Sequence, residues 1–433
     1  MDIRNPRSNR PEGSRRGRRR GSVSMQVLVL MVPVFFGFMG FAIDLGRLYM
    51  ARNELKTAAN AMAIAAAQRL NGTEAAIEAA TAYAQIPIDA TGGVANKYDF
   101  GGSTIGETNG TLNSEAPVLT FYDASSAATG VEGSTGGEAS GATAKHVRVV
   151  VRGEAPTLFW RFLAIGLEGR VNLAAQSVAG QSAPVCQACG VEPIAVQAVS
   201  IEDTVDFGFV PGTRYTLGYL CTGGPTPGAL ANTDSRVPYI MLNRLNESAT
   251  FLTDELTQLY RIGSQGLPPA SDPAVYCLRV NAEEPVWVNA APLACNANRV
   301  ANQVSTFLCG LAARFDNATV PAVCNAVAES DTVIAANPAD SDLADIEDYT
   351  AYTGNNRRII TVPIVETAAE STMVVLGFRQ FLIEPAANDS TVNAADQNGR
   401  FAALYLGSRI PVKQGRIDGC TQAAGPGKVV LHQ

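Results

Sequence analysis

The sequence predicts an α+β fold in which a long N-terminal transmembrane helix extends into a small α+β domain, followed by a disulfide-stapled, strand-rich α+β domain. An uncharged apolar run near the N-terminus, strand-like runs alternating with loops, and eight cysteines that all follow residue 185 support it. A chain of 433 residues is long enough for two or three domains of ~150 residues each. The predicted divisions are a basic cytoplasmic tail at 1–20, a membrane and extended helix at 21–71, a first domain at 72–181 and a cysteine-containing domain at 182–433.

Residues 23–43 contain no charged side chain. As a helix they would be ~31 Å long, which matches the hydrocarbon core of a bilayer. A cleaved secretory signal is the alternative, but its apolar region is only ~7–15 residues and ends in a small-x-small site. This run is longer and continues into Asp44 without such a site, so we expect an uncleaved single-pass anchor.

The orientation of the anchor follows from the basic residues before it, which the positive-inside rule keeps in the cytoplasm. They are Arg15, Arg16, Arg18, Arg19 and Arg20. The chain after the helix is then expected on the opposite, exoplasmic side of the membrane.

Apolar residues continue at three- and four-residue spacing beyond the membrane, and neither Pro nor Gly occurs at 47–71. Asn71-Gly72 supplies a stop signal. The span and its extension therefore predict one helix ~70 Å long. We expect its Ala-rich stripe to pack on the protein's own domain, with packing on another molecule as the alternative.

Residues 15–70 resemble the N-terminal module of TadE/TadG-like proteins of the tight-adherence (Flp) pilus-assembly system. The module has a basic start, one apolar span, an Asp-x-Gly-Arg exit and an Ala-rich helix. Asp44, Gly46 and Arg47 match the exit, and Asn53, Leu55, Ala58, Ala59, Ala61 and Ala65 match the helix. A weaker similarity covers 117–180. The resemblance implies a structural or assembly role in the cell envelope, with other pilus-assembly or pilin-like membrane proteins as partners, and it defines no catalytic residue.

Two features of related proteins are incomplete here. Longer TadG-like proteins often carry a von Willebrand A domain with an Asp-x-Ser-x-Ser metal motif, and residues 123–127 lack its last hydroxyl, so we expect no metal there. Type IV prepilins are cut after a Gly and carry Glu at the fifth mature position. Gly21 and Gln26 occupy these positions, but Gln offers no carboxylate to a neighbouring amino terminus. Prepilin-type cleavage is therefore disfavoured and left as an alternative.

The first domain reads as loops with short regular elements. Loops are predicted at 72–116 and 124–143, helices at 73–85 and 158–167, and strands at 118–123, 147–151 and 171–178.

The cysteines predict up to four disulfides, because the periplasm is oxidising. They are Cys186, Cys189, Cys221, Cys277, Cys295, Cys309, Cys324 and Cys420. Eight cysteines allow 105 pairings, so the connectivity stays open. Cys186 and Cys189 could instead form a redox pair or half of a zinc site, but the sequence lacks a thioredoxin-like context and a second ligand pair. We interpret them as structural.

The cysteine-containing domain alternates strand-like runs with loops. Strands are predicted at 193–199, 215–220, 237–242, 359–365, 373–383 and 401–406, and helices at 248–262 and 299–314.

Little in the sequence supports catalysis. The only histidines are His146, in a predicted strand, and His432, in the C-terminal tail, and no nucleophile-elbow, zincin or P-loop motif occurs. We therefore predict a protein that is not an enzyme and needs no cofactor. A membrane-anchored exoplasmic hydrolase or ligand-binding protein is the alternative.

The charge distribution bears on two kinds of ligand, nucleic acid and calcium. Residues 1–20 are net +6, which leaves −13 on the rest of a chain whose total is −7, so nucleic acid is not an expected partner. The acidic stretch 340–348 lacks the Gly and Glu that an EF-hand loop requires, because those positions are Asp345 and Ala351. An irregular calcium site in this loop is left open.

Overall fold

The computed structural model describes residues 21–85, 117–130, 138–157, 159, 170–189, 191–192, 194–222, 228–242, 277–280, 293–294, 303–315, 338–368, 373–384, 392, 396 and 398–432. Its α-helices there are α1 (Gly21–Ala67), α2 (Ala76–Gln85), α3 (Ser125–Thr129) and α4 (Gln303–Ala312). The predicted helix at 248–262 and, apart from Phe159, the one at 158–167 lie outside these residues.

Helix α1 is a single 47-residue element that includes Pro33. Apolar and alanine-rich sequence favours this helix, and its end lies close to the predicted one. After Ala67 the chain turns, and Gly72 takes a φ of +80°, a left-handed conformation in which glycine avoids the steric cost of a side chain.

The first sheet is antiparallel, with the strand order β1-β2-β3-β15. Its strands are β1 (Val118–Tyr122), β2 (His146–Pro156), β3 (Arg170–Gln181) and β15 (Val429–His432). β2 and β3 are longer than predicted and pair along their full length, from His146–Gly180 to Pro156–Arg170. The last strand returns to this sheet from a part of the chain that the sequence division placed in the second domain.

The extended half of α1 covers one face of the first sheet. Between Leu55 and Leu70 it buries a stripe of alanines with Met62 against valines of β2 and alanines of β3. Small residues let the helix approach the sheet closely, and α2 packs against the same cluster. The expectation that the stripe packs on the protein's own domain is confirmed.

The second unit contains a closed six-stranded barrel with the order β11-β12-β13-β6-β8-β5. Its strands are β5 (Ile194–Gln197), β6 (Arg214–Tyr219), β8 (Ser235–Met241), β11 (Ile359–Val365), β12 (Val375–Glu384) and β13 (Phe401–Gly407). Two neighbouring pairs are parallel, β6 with β8 and β5 with β11, and the other four are antiparallel. Apolar side chains of α4 join the core of this barrel.

Five short strands complete the described part of the second unit. They are β4 (Gln187–Cys189), β7 (Cys221–Thr222), β9 (Cys277–Arg279), β10 (Leu293–Ala294) and β14 (Gly415–Arg416). β14, β4 and β9 form an antiparallel sheet, and β7 pairs in parallel with β10. The mixture of helices and strands with two disulfides confirms the predicted fold class.

The end of α1 meets the second unit through hydrogen bonds. The Tyr349 hydroxyl donates to the carbonyl of Asn71 at 3.0 Å, and the Asn71 amide donates to Asn356 Oδ1 at 2.9 Å. Three residues after Asn71, the Glu74 N–H donates to the carbonyl of Thr350 at 2.9 Å. The chain after the long helix is thus held directly on the barrel unit.

Two local predictions were wrong. The loop predicted at 124–143 contains α3, which ends at Gly130 in the left-handed conformation and carries buried Ala127 and Ala128. His432 lies in β15 rather than in a free tail. In both cases packing against the first sheet supplies order that local composition did not indicate.

Candidate membrane-anchoring and assembly site

Helix α1 has two halves with opposite surroundings. Among the described residues it is the one helix long and apolar enough to cross a membrane. The large apolar side chains between Met25 and Ile43 are 42–72% exposed, whereas Ala59, Met62 and Ala63 are fully buried on the sheet. Gly21 is the first residue of the helix, and Gln26 lies at the start of its exposed half.

The boundary between the two halves lies at Asp44. This side chain is only 4% exposed, and its Oδ2 accepts a hydrogen bond from the backbone N–H of Phe159 at 2.9 Å. Phe159 lies in the connection between β2 and β3. One helical turn before Asp44, a Cβ added to Gly40 would lie 2.7 Å from the Phe159 side chain, so only glycine fits the close approach there.

The other residues of the exit motif have different surroundings. Gly46 faces open space, with nothing within 4 Å of an added Cβ, and Arg47 is half-buried. Arg15, Arg16, Arg18, Arg19 and Arg20 lie outside the described residues. Through its hydrogen bond to Phe159, Asp44 fixes the connection between β2 and β3 to the helix at the end of the apolar run.

Beyond the exit, polar contacts on α1 also go to the sheet. The Lys56 ammonium donates to the carbonyl of Gln176 on β3 at 2.6 Å. Together with the buried alanines, this contact commits the second half of the helix to the first sheet. The exposed half, from residue 25 to residue 43, is the part that the protein leaves uncovered, apart from Gly40 beneath Phe159.

Residues 21–69 match a family model described as "Putative Flp pilus-assembly TadE/G-like". This match confirms the resemblance, and the matched segment coincides with α1 and the turn after it. The TadE/G-like segment thus comprises both the exposed apolar half and the sheet-covering half of the helix. No curated protein and no solved structure matches the chain.

Outside the TadE/G-like segment, four of the described cysteines form two disulfides. Cys186 is bonded to Cys420 and Cys189 to Cys277, so the two members of the C-x-x-C pair bind distant partners rather than each other. Cys309 is also disulfide-bonded, and Cys221 lies in β7. Cys295 and Cys324 lie outside the described residues. The structural interpretation of Cys186 and Cys189 is confirmed.

The two histidines face each other across the first sheet, with ring centroids 5.0 Å apart. His146 is buried, and its pKa is lowered to about 4, first by burial and then by the nearby His432. Burial also lowers the pKa of His432. Both rings therefore favour the neutral form, and both belong to the packing of β2 and β15 on β3.

The acidic loop uses its carboxylates to hold its own backbone. Asp340 accepts hydrogen bonds from the Asp342 N–H at 2.9 Å and the Tyr352 hydroxyl at 2.6 Å. Asp342 in turn accepts from the N–H groups of Ala344 and Thr353. Within the described residues no three His, Cys, Asp or Glu side chains are grouped to hold a metal. Asp123, the first residue of the incomplete Asp-x-Ser-x-Ser motif, follows directly after the last residue of β1.

Sequence reasoning missed the contact of Phe159 with Gly40 and Asp44, and it missed the buried ion pairs of the second unit. Arg358 and Glu384 pair at 2.8 Å with both side chains at most 1% exposed, and Arg314 and Glu192 pair at 2.9 Å. A single charged residue inside an apolar strand, such as Arg379 or Glu384, is the signal that could have indicated buried charge.

Proposed function

We propose that this protein is a membrane-anchored structural or assembly component of a Flp-type pilus or a related envelope secretion system, and that it is not an enzyme. The TadE/G-like match over 21–69 supports the link to Flp pilus assembly. The observation that carries the proposal is the division of α1. Its second half is buried against the protein's own sheet, and its first half is apolar and exposed.

In this proposal α1 crosses a bacterial inner membrane once. The arginines at 15–20 keep the N-terminus in the cytoplasm, and the sheet and barrel lie in the periplasm, where the disulfides are stable. Residues 1–21 are retained in the mature protein rather than removed by a prepilin-type peptidase. Intact-mass measurement of the mature protein tests the last point directly.

The exposed half of α1 is also the proposed contact with other pilus-assembly or pilin-like membrane proteins. Within a bilayer, helices associate through close packing rather than through a hydrophobic driving force. Gly37 offers such a place, because an added Cβ there meets nothing within 4 Å. The buried alanines cannot serve this purpose, because the sheet already covers them.

Site-specific photo-crosslinking tests this function. A photoreactive residue at Phe36, which is 61% exposed in the apolar half, should form adducts with other pilus-assembly membrane proteins in cells that produce the pilus. The matched control is the same photoreactive residue at Lys145, which is exposed at the far end of β2, and it should not form these adducts. Adducts of Phe36 with lipid alone would contradict the proposed partners.

Labelling tests the orientation separately. In intact spheroplasts, a membrane-impermeant maleimide should label Lys145→Cys from outside and should leave Arg16→Cys unlabelled until the membrane is opened. The reverse pattern would contradict the proposed topology.

A further inference from the structure

Phe159, in the connection between β2 and β3, lies at the level of the apolar run of α1. The 21 uncharged residues at 23–43 are ~31 Å long as a helix, which is just the hydrocarbon thickness. Phe159 packs over Gly40, which lies within this run, and its N–H is held by Asp44 immediately after it. These two contacts fix the depth of Phe159 relative to the membrane.

The length of the helix allows little adjustment of that depth. If the membrane boundary moved down so that Gly40 stood in water, only 17 uncharged residues would remain, ~26 Å, about 5 Å short of the hydrocarbon core. Phe41 and Ile43, which are 48% and 42% exposed, would then also face water. The full span is satisfied only when Gly40, and with it Phe159, lies inside the apolar boundary.

The exposure of Phe159 and the composition of the sequence around it fit such a depth. Phe159 is 36% exposed although it is aromatic. The sequence from 158 to 167, LFWRFLAIGL, contains one charge, Arg161, among aromatic and aliphatic residues. Aromatic residues and arginine together are typical of segments at the boundary between headgroups and acyl chains.

We propose that Phe159 is a second membrane contact of this protein, which enters the leaflet through which α1 leaves the bilayer. The ligand is lipid, at the boundary between headgroup and acyl chain. Asp44 is a positioning residue for this contact, because its carboxylate accepts a hydrogen bond from the Phe159 backbone and holds it against the helix. A span and a hairpin together would restrict the tilt and rotation of the sheet above the membrane, which one helix alone does not do.

Single-tryptophan fluorescence in lipid vesicles tests the proposal. The chain has two tryptophans, Trp160 and Trp287, and both are replaced by Phe in the full-length protein. Phe159→Trp in this background is reconstituted in phosphatidylcholine vesicles with brominated or unbrominated acyl chains. The bromine should quench the emission of Phe159→Trp.

The matched control places the only tryptophan at Lys145. This residue is exposed and lies at the other end of β2, ~37 Å along the strand from Pro156. Its emission should be the same in both kinds of vesicle. Equal emission from Phe159→Trp in the two lipids would overturn the proposal. Quenching of Lys145→Trp as well would also overturn it, because the whole sheet would then lie on the membrane.

A second measurement tests the positioning role of Asp44. Asp44→Ala should reduce the quenching at Phe159→Trp, and Asp44→Asn, which keeps an acceptor oxygen, should restore it. These measurements use purified protein and lipid alone, so their outcome is independent of the proposed pilus partners.

Discussion

The first sheet and the barrel bury their cores with different residues. The sheet unit packs alanines and Met62 of α1 on valines and alanines of β2 and β3. In the barrel, Phe209, Phe381 and Tyr405 pack against one another with ring centroids 5.0–5.5 Å apart. Buried arginine–glutamate pairs add to this second unit, which also contains the disulfides Cys186–Cys420 and Cys189–Cys277.

This difference separates a unit that depends on the membrane helix from one that closes on itself. A sheet with one face covered by α1 loses that face if the helix moves, so its stability is tied to the position of the anchor. The barrel has no open edge along its six strands and supplies its own core with α4. We therefore expect perturbations of one unit to be confined largely to that unit.

The largest expected effect is in the barrel. Arg358 donates to Glu384 and to the carbonyls of Ile383 and Asp342, all at 2.8 Å. Burial raises the pKa of Glu384 and Arg358 opposes that rise, so Arg358→Met would leave a buried, unpaired carboxyl group. The expected loss of unfolding free energy is about 3–5 kcal/mol. Hydrogen exchange with mass spectrometry should show lost protection in β11 and β12 but not in β2 and β3.

Two further variants sharpen that measurement. Arg416→Met, at an exposed position on β14, should change stability by less than about 0.5 kcal/mol. Adding Glu384→Leu to Arg358→Met should recover part of the loss, because two apolar groups then replace the broken ion pair. Unchanged protection of β12 in Arg358→Met would show that the pair does not stabilise the barrel.

The next effect is expected in the sheet unit. Ala59 is fully buried between α1 and the sheet, so Ala59→Phe should force the helix away and cost about 1–3 kcal/mol or more. Exchange should accelerate in β2 and β3 while the barrel keeps its protection. Ala42→Phe makes the same change in the exposed half of the helix and should leave both units intact. Equal effects of the two variants would contradict the division of α1 into two halves.

The smallest expected effect is the response of the sheet unit to acid. The pKa of His146 is lowered in the folded protein to about 4, from an ordinary value of 6.5, because the ring is buried next to His432 and near Lys145. The unfolded chain therefore binds a proton that the folded chain refuses, and stability is lost as pH falls from about 6.5 to 4. At 1.36 kcal/mol per pKa unit, this shift corresponds to a loss of at most about 3 kcal/mol.

Urea titrations at pH 7 and pH 4 measure this loss. At each urea concentration, a short pulse of hydrogen exchange at one fixed pH reports how far β3 and β15 are exposed. His146→Phe keeps a ring in the position but cannot bind a proton, so its two midpoints for these strands should lie closer together than those of the wild-type protein. The same pH response in both proteins would place the acid sensitivity elsewhere.

Several elements were predictable because they depend on local order in the sequence. The uncharged run at 23–43 and the apolar spacing after it predicted α1, β-branched runs predicted β2 and β11, and an apolar run with Phe401 and Tyr405 predicted β13. Asp44, Gly46 and Arg47 indicated the exit of the helix before its contact was known. The role of Asp44 was not predictable, because its hydrogen-bond partner lies 115 residues away.

The sequence alone determined that this protein has one long apolar helix, an α+β body and cysteines in its second half, because run length, periodicity and composition are local properties. Only the tertiary structure decided which surface covers the alanine stripe, how six strands close into a barrel, where β15 returns and which cysteines pair. Cys186 and Cys420 are 234 residues apart, and no local period records which distant segments meet. Those choices depend on the total packing free energy of the folded chain, to which each segment contributes only through its neighbours in space.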